Sequence, residues 1–162
     1  MLKNLNATKK GLVTGLMMIA LSLLFYFTKQ PFDSPTQYLI YLLYAFGIVW
    51  TLYDFQRTAD KSAKFGEYFL QGFKCFIVVT LLMALFTIGF NLLHPEFKAE
   101  GAAAYREQLL KEGNKTLPEI EANIKKMKEL YMPILIAQAI FSYLFIGAFV
   151  TLVSSLLFRS RK

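Results

Sequence analysis

Residues 94–132 read HPEFKAEGAAAYREQLLKEGNKTLPEIEANIKKMKELYM, and this stretch decides the fold because it is the one sizeable water-soluble piece of the chain. It carries seven basic and seven acidic side chains, while residues 75–93 before it and 134–158 after it hold no Asp, Glu, Lys or Arg. A helix rises 1.5 Å per residue, so ~20 apolar residues cross the ~30 Å of bilayer hydrocarbon. Both flanks therefore read as transmembrane spans, and the charged stretch as a loop that leaves the membrane between them.

Local signals give that loop structure. A first helix is expected from about Pro95 to Glu112, stopping at Gly113-Asn114, a pair suited to a left-handed C-terminal cap. A second begins at Thr116, where T-L-P-E places Thr116 as N-cap and Glu119 three residues on as its reciprocal partner. Leu117, Ile120, Ile124, Met127 and Tyr131 then recur at alternating spacings of three and four, which draws a narrow apolar seam. Such a seam packs on a second helix, either the first helix of the loop or one from a partner. Met132-Pro133 follows, and the sequence leaves open whether the second helix runs on into the last span with a proline kink.

Toward the amino terminus, residues 11–28 and 36–53 are two further uncharged runs of spanning length. Lys29 to Pro35, with Pro31, Asp33, Ser34 and Pro35, reads as the turn between them. The basic start MLKNLNATKK ahead of an apolar run has the outline of a signal peptide. The run is longer than a usual h-region, however, and no small-x-small site follows in KQPFDSPTQ, so an uncleaved first span is expected. Asp54 closes the second span and a polar loop follows. From Lys64 to Lys74, Lys64, Glu67, Gln71 and Lys74 mark one face and Phe65, Tyr68, Phe69, Gly72, Phe73 and Phe76 the other. That pattern predicts a separate helix lying at the membrane interface. The expected fold is an all-α membrane protein, a single integral domain over residues 1–162 with four transmembrane helices. The helical hairpin at about 95–131 sits between spans three and four.

Charge sets the expected orientation. With four spans both termini share a side, and that side holds ten basic residues (Lys3, Lys9, Lys10, Arg57, Lys61, Lys64, Lys74, Arg159, Arg161, Lys162) against three acidic ones. The other side holds eight of each, so the whole net charge of +7 lies on one face. The positive-inside rule puts that face and both termini in the cytoplasm, with residues 94–131 outside. The basic rim favours anionic lipid. Because the basic residues flank spans instead of decorating a soluble recognition fold, nucleic acid is not an expected partner. The single Cys75 excludes an intrachain disulfide and a thiolate metal cage.

Polar residues near the spans are the candidates for specific contacts. Asn91, Gln138 and Ser142 lie in the outer halves of spans three and four, and an Asn91–Gln138 hydrogen bond between the helices is expected, because an unpaired amide in hydrocarbon is costly. His94, the only histidine, has no ligand-spaced companion and reads as an interfacial cap, so no metal site is expected. Tyr38, Trp50 and Tyr53 suit an aromatic belt. Tyr41 and Tyr44 lie deeper and call for hydroxyl partners such as Thr14, Ser22, Thr80 or Thr87. GLVTG at residues 11–15 is a GxxxG pair of the kind that lets helices approach closely. No phosphate loop, HExxH, GxSxG or in-span acid pair occurs, so neither catalytic residues nor a cofactor are expected.

The first span GLVTGLMMIALSLL, the entry FGEYFLQGFKCFIVVTLLMALF into span three, the loop end KKMKELYMP and the tail RSRK together resemble the bacterial membrane family catalogued as domain of unknown function 4199, found chiefly in Bacteroidota. The resemblance covers nearly the whole chain and implies an inner-membrane protein of four helices, with no activity or site residues to carry over. The function expected is that of a non-enzymatic membrane protein packing with or regulating a partner, either another membrane protein or a second copy. The alternative is a small transporter, channel or lipid-handling protein acting as an oligomer, with Thr14, Ser22, Thr80, Thr87, Gln138, Ser142 and Thr151 as its polar path. A membrane enzyme ranks third, since Glu96, Glu100 and Glu107 read as a solvated helix face.

Overall fold

The computed structural model describes residues 6–29, 37–59 and 63–160. Among them are five helices: α1 (Ala7–Phe27), α2 (Gln37–Thr58), α3 (Phe65–Leu93), α4 (Glu96–Glu112) and α5 (Leu117–Ser160). Four of these, all but α4, are long and apolar enough to cross a membrane. The expected turn at Lys29–Pro35 lies, apart from Lys29, outside the described residues, as do the last two residues of the RSRK tail. The chain forms two compact units, Met1–Ala84 with Ile140–Lys162, and Leu85–Ala139.

Helix α1 begins four residues before the first uncharged run because Asn6 caps it: Asn6 Oδ1 accepts a hydrogen bond from the Lys9 backbone N–H at 2.9 Å. At its other end Lys29 takes a left-handed conformation (φ 53°), with its N–H bonded to the Tyr26 carbonyl at 3.0 Å. One boundary differs from the sequence reading, and one that the sequence left open is settled. Residues 64–74 are not a separate interfacial helix: residues 65–74 are the first turns of α3, started where Glu67 reaches back to accept from the Lys64 N–H at 2.7 Å. Of the apolar face of that segment, Tyr68, Gly72 and Phe76 are buried within the bundle, Phe65 and Phe69 are half-buried and Phe73 is exposed, so neighbouring helices cover only part of it. Likewise α5 is one helix of 44 residues through Pro133. Proline has no N–H to offer the Glu129 carbonyl, but the flanking turns carry the helix on.

The first unit is a bundle of α1, α2, the first twenty residues of α3 and the last stretch of α5. Its contacts are built on small residues. A Cβ on Gly11 would lie 2.6 Å from the Cys75 carbonyl oxygen, and one on Gly15 2.7 Å from Leu82 Cδ1, so the GxxxG pair is the α1–α3 contact. Gly47 of α2 receives Thr14 of α1, and Gly72 of α3 receives Thr151 of α5. Gly147 of α5 receives the hydroxyl of Tyr44, which donates to the Tyr143 carbonyl at 2.9 Å. Tyr44 thus finds a backbone acceptor, and Thr80, one of the hydroxyls expected for it, is also within hydrogen-bonding reach. That carbonyl also accepts the N–H one turn on, from Gly147, whose missing Cβ leaves the second lone pair reachable. Met18, Tyr44, Ile48, Leu52, Tyr68 and Val79 fill the space between, all fully buried.

The second unit contains the helical hairpin. Gly113 ends α4 at φ 65°, a conformation open to glycine and costly for other residues. Both the N–H and the hydroxyl of Thr116 donate to Glu119 Oε2, at 2.7 and 2.8 Å, and hold the entry to α5. Ala102 and Leu109 of α4 and Ile120 and Ile124 of α5 are buried together, with Tyr105 and Met127 packed against them.

Candidate functional site

The most unusual chemistry in the chain sits in the bundle, where α1 starts and α2 ends. Lys10 is only 2% exposed, and its ammonium is paired with Asp54 Oδ2. The same Nζ lies 5.3 Å from the centroid of the Trp50 ring, whose face adds a cation–π attraction. An unpaired buried ammonium would be costly, and here a carboxylate and an indole face together replace the water it has lost. The Asp54 side chain is 29% exposed, so the pair is wet on one side only. Next to it, Gln56 Nε2 donates to the Phe158 carbonyl at 2.9 Å, tying the end of α2 to the end of α5. Arg57 lies over the Tyr53 ring at 5.8 Å, and Tyr53 meets Phe158 at 6.3 Å. Chemically this is a lock among three helix ends: the charges are spent on each other and the amide on a carbonyl that the helix end leaves free.

The sequence reading counts Lys10 among the basic residues of the rim and Trp50 in the belt. The structure adds that Lys10 is buried against Asp54 and that the Trp50 ring faces it. The signal was present in the sequence: two helices joined by a short turn run antiparallel, so the residue that opens the first and the residue that closes the second end at one level. Lys10, just before the first uncharged run, and Asp54, just after the second, lie near those two ends.

The residues expected to make interhelical contacts are distributed differently from the reading. Asn91 is used in full: its Oδ1 accepts from the Tyr131 hydroxyl at 3.1 Å, and its Nδ2 donates to the Thr87 carbonyl at 3.0 Å. The bond across to α5 therefore goes to Tyr131 and not to Gln138, whose residue is exposed. Tyr131 and Gln138 lie two turns apart on α5, so the register of the two helices, which brings Tyr131 to Asn91, decides the partner. Ser142 is half-buried in the bundle. Of the seam, Ile120, Ile124 and Met127 pack on α4, Tyr131 is engaged by Asn91, and Leu117 is 62% exposed. The face offered to a partner is thus occupied by the first helix of the hairpin. His94 Nδ1 lies 2.7 Å from Glu96 Oε1, a pairing two residues apart that a search at helical spacing misses. The Glu96 carboxyl is held below the usual carboxylate range, first by its own backbone N–H and then by His94. Among the described residues no three of His, Cys, Asp and Glu gather in a metal-binding group.

Fold and site together define an all-helical chain with four helices of membrane-crossing length, three of whose ends are fastened by an ion pair and an amide–carbonyl bond. The chain belongs to the family described as protein of unknown function (DUF4199), whose model matches residues 9–160. No curated protein and no solved structure gives a significant match to it.

Proposed function

We propose that this chain is a non-enzymatic protein of the bacterial inner membrane that packs with or regulates a membrane partner. Both termini and the basic rim then face the cytoplasm and its anionic lipid, and residues 94–131 form a periplasmic hairpin. The observation that carries this reading is the hairpin itself. Its apolar seam is closed on α4, which makes it a folded, water-facing element with a charged exterior and not a slack connection. Two leucines, Leu110 at 45% and Leu117 at 62% exposure, flank its turn, where a water-facing surface has no need of them. A short helical hairpin with exposed leucines on both sides of a polar tip suits recognition of another protein. The hydroxyls of Ser22 and Thr80, part of the alternative polar path, fold back on carbonyls of their own helices, which supports the packing role over transport.

Two measurements test the reading. The native Cys75 is buried, so Asn114→Cys gives a single accessible thiol; a membrane-impermeant maleimide labels it in intact spheroplasts if the hairpin is periplasmic. Labelling that requires lysis reverses the orientation. A photo-crosslinking residue at Leu117 is expected to yield a discrete adduct above the 18.6 kDa chain in native membranes. Absence of any adduct there and at Leu110 removes the partner-binding role.

A further inference from the structure

The buried hydroxyls of the bundle are of two kinds. Thr51 Oγ1 donates to the Gly47 carbonyl at 2.8 Å and Thr80 Oγ1 to the Phe76 carbonyl at 2.9 Å, each folding back one turn on its own helix, as such side chains do inside helices. Tyr68, Thr151 and Ser155 are all fully buried, yet Tyr68 OH, Thr151 Oγ1 and Ser155 Oγ have no hydrogen-bond partner among the described residues.

These three belong to one helix contact. Phe76 of α3 lies against Gly147 of α5, and one turn back along α3, Gly72 lies against Thr151, one turn forward along α5. The two segments are therefore antiparallel and in step. The next turn in the same register brings Tyr68 level with Ser155. Thr151 and Ser155 share a face of α5, being four residues apart. A Cβ on Gly72 would collide with Thr151 Cγ2 and fall 2.9 Å from its Oγ1, so the Thr151 side chain is seated on the glycine with its hydroxyl against the α3 backbone. The cluster thus occupies two adjacent turns of one α3–α5 contact, about 6 Å along the helices.

Buried polar groups in native proteins are almost all satisfied, by water where the protein supplies no partner. We propose that Tyr68, Thr151 and Ser155 form an internal water-binding site between α3 and α5, holding at least one ordered water that links their hydroxyls. The chemistry selects water among small ligands. Each hydroxyl both donates and accepts, and a buried water takes about three hydrogen bonds. The trio supplies no formal charge, and three neutral oxygens are fewer than the six or more that a hard cation takes. A water here gives the contact a hydrogen-bonded bridge where direct side-chain bonds are lacking.

The experiment uses the full chain in detergent micelles with the shape-conserving variants Tyr68→Phe and Thr151→Val, which remove an oxygen without opening a large cavity. If the hydroxyls share a water, each variant melts at a lower temperature than the parent, and the double variant loses less than the two losses added. Melting temperatures that are unchanged or raised overturn the site, because deleting a hydroxyl that bonds to nothing relieves the bundle. Melting of the parent is expected to be the same in sodium, potassium and choline chloride at one ionic strength. A rise specific to sodium or potassium that Thr151→Val abolishes assigns the site to a cation and overturns the water. An experimental map at water-resolving resolution is expected to show an oxygen within hydrogen-bond distance of these hydroxyls. Hydroxyls turned onto their own helix carbonyls, with no density between them, also overturn the proposal.

Discussion

In the bundle, the residues found where helices touch are Gly11, Gly15, Gly47, Gly72 and Gly147; in the hairpin they are Leu109, Ile120 and Ile124. Both regions are helices laid side by side, and the difference is the one expected of a bundle in hydrocarbon and a hairpin in water, as the proposed topology has them. Between helices in hydrocarbon, a leucine leaving lipid for protein gains little, so stability comes from close backbone approach, dispersion and polar contacts that lipid cannot offer. In water the same leucine leaves an unfavourable medium, and a handful of buried aliphatic side chains suffices to close two short helices. Exposure follows the same logic. Phe141, Phe145 and Phe149 are more than 60% exposed on α5, which is unremarkable on a lipid-facing helix, whereas α4 presents Glu107, Lys111 and Glu112.

The comparison can be broken first at the ion pair. Asp54→Ala strands the Lys10 ammonium inside the bundle and is expected to lower bundle stability by about 4 kcal/mol, the scale of removing one partner of a buried pair. Replacing both, Lys10→Met with Asp54→Leu, is expected to restore most of that loss when unfolding is followed by SDS titration in mixed micelles. If the double replacement is as unstable as the single one, the pair is not what fastens α1 to α2. Next in size is Leu109→Ala, expected to cost the hairpin about 3 kcal/mol through the lost side chain and the cavity it leaves. Hydrogen exchange is expected to speed up over residues 96–130 while the bundle stays protected; equal loosening of both regions would contradict separate cores. The smallest effect is the mirror experiment. Gly147→Ala adds one methyl against the Tyr44 hydroxyl and Phe76, and is expected to cost about 2 kcal/mol by overpacking, read in the same SDS titration. A neutral result would mean that the bundle tolerates volume as a loosely packed contact does. Removing volume harms the hairpin and adding it harms the bundle.

Hydropathy reports depth in the membrane and says little about direction around a helix axis, and the legible and illegible parts of this fold divide along that line. The four long apolar helices, the glycine stop at Gly113 and the Thr116–Glu119 entry were readable because each is a local property of consecutive residues. The seam at Ile120, Ile124 and Met127 was readable too, since helical periodicity gives direction wherever one side faces water. Lateral partners inside the bundle were not. Asn91 was matched to Gln138 by depth alone, whereas the register of the two helices brings Asn91 level with Tyr131, two turns from Gln138 along α5. Residues 65–74 look amphipathic whether their apolar face meets lipid headgroups or other helices, so sequence could not tell an interfacial helix from the start of α3. The unsatisfied hydroxyls are the least legible of all, because Thr51 and Thr151 are the same residue type in similar surroundings and differ only in where the oxygen points.

The Lys10–Asp54 pair also has a meaning in time. The chain emerges from the ribosome amino terminus first, so Lys10 reaches the membrane more than forty residues ahead of the carboxylate that later covers it. During insertion of the first helix it is a bare cation, and on the proposed topology it helps hold the amino terminus on the cytoplasmic side. On that topology Asp54 arrives only when α2 has crossed back, and its carboxylate then takes the charge out of circulation. One lysine would thus serve twice on the proposed orientation, first as an address for the insertion machinery and then as a rivet.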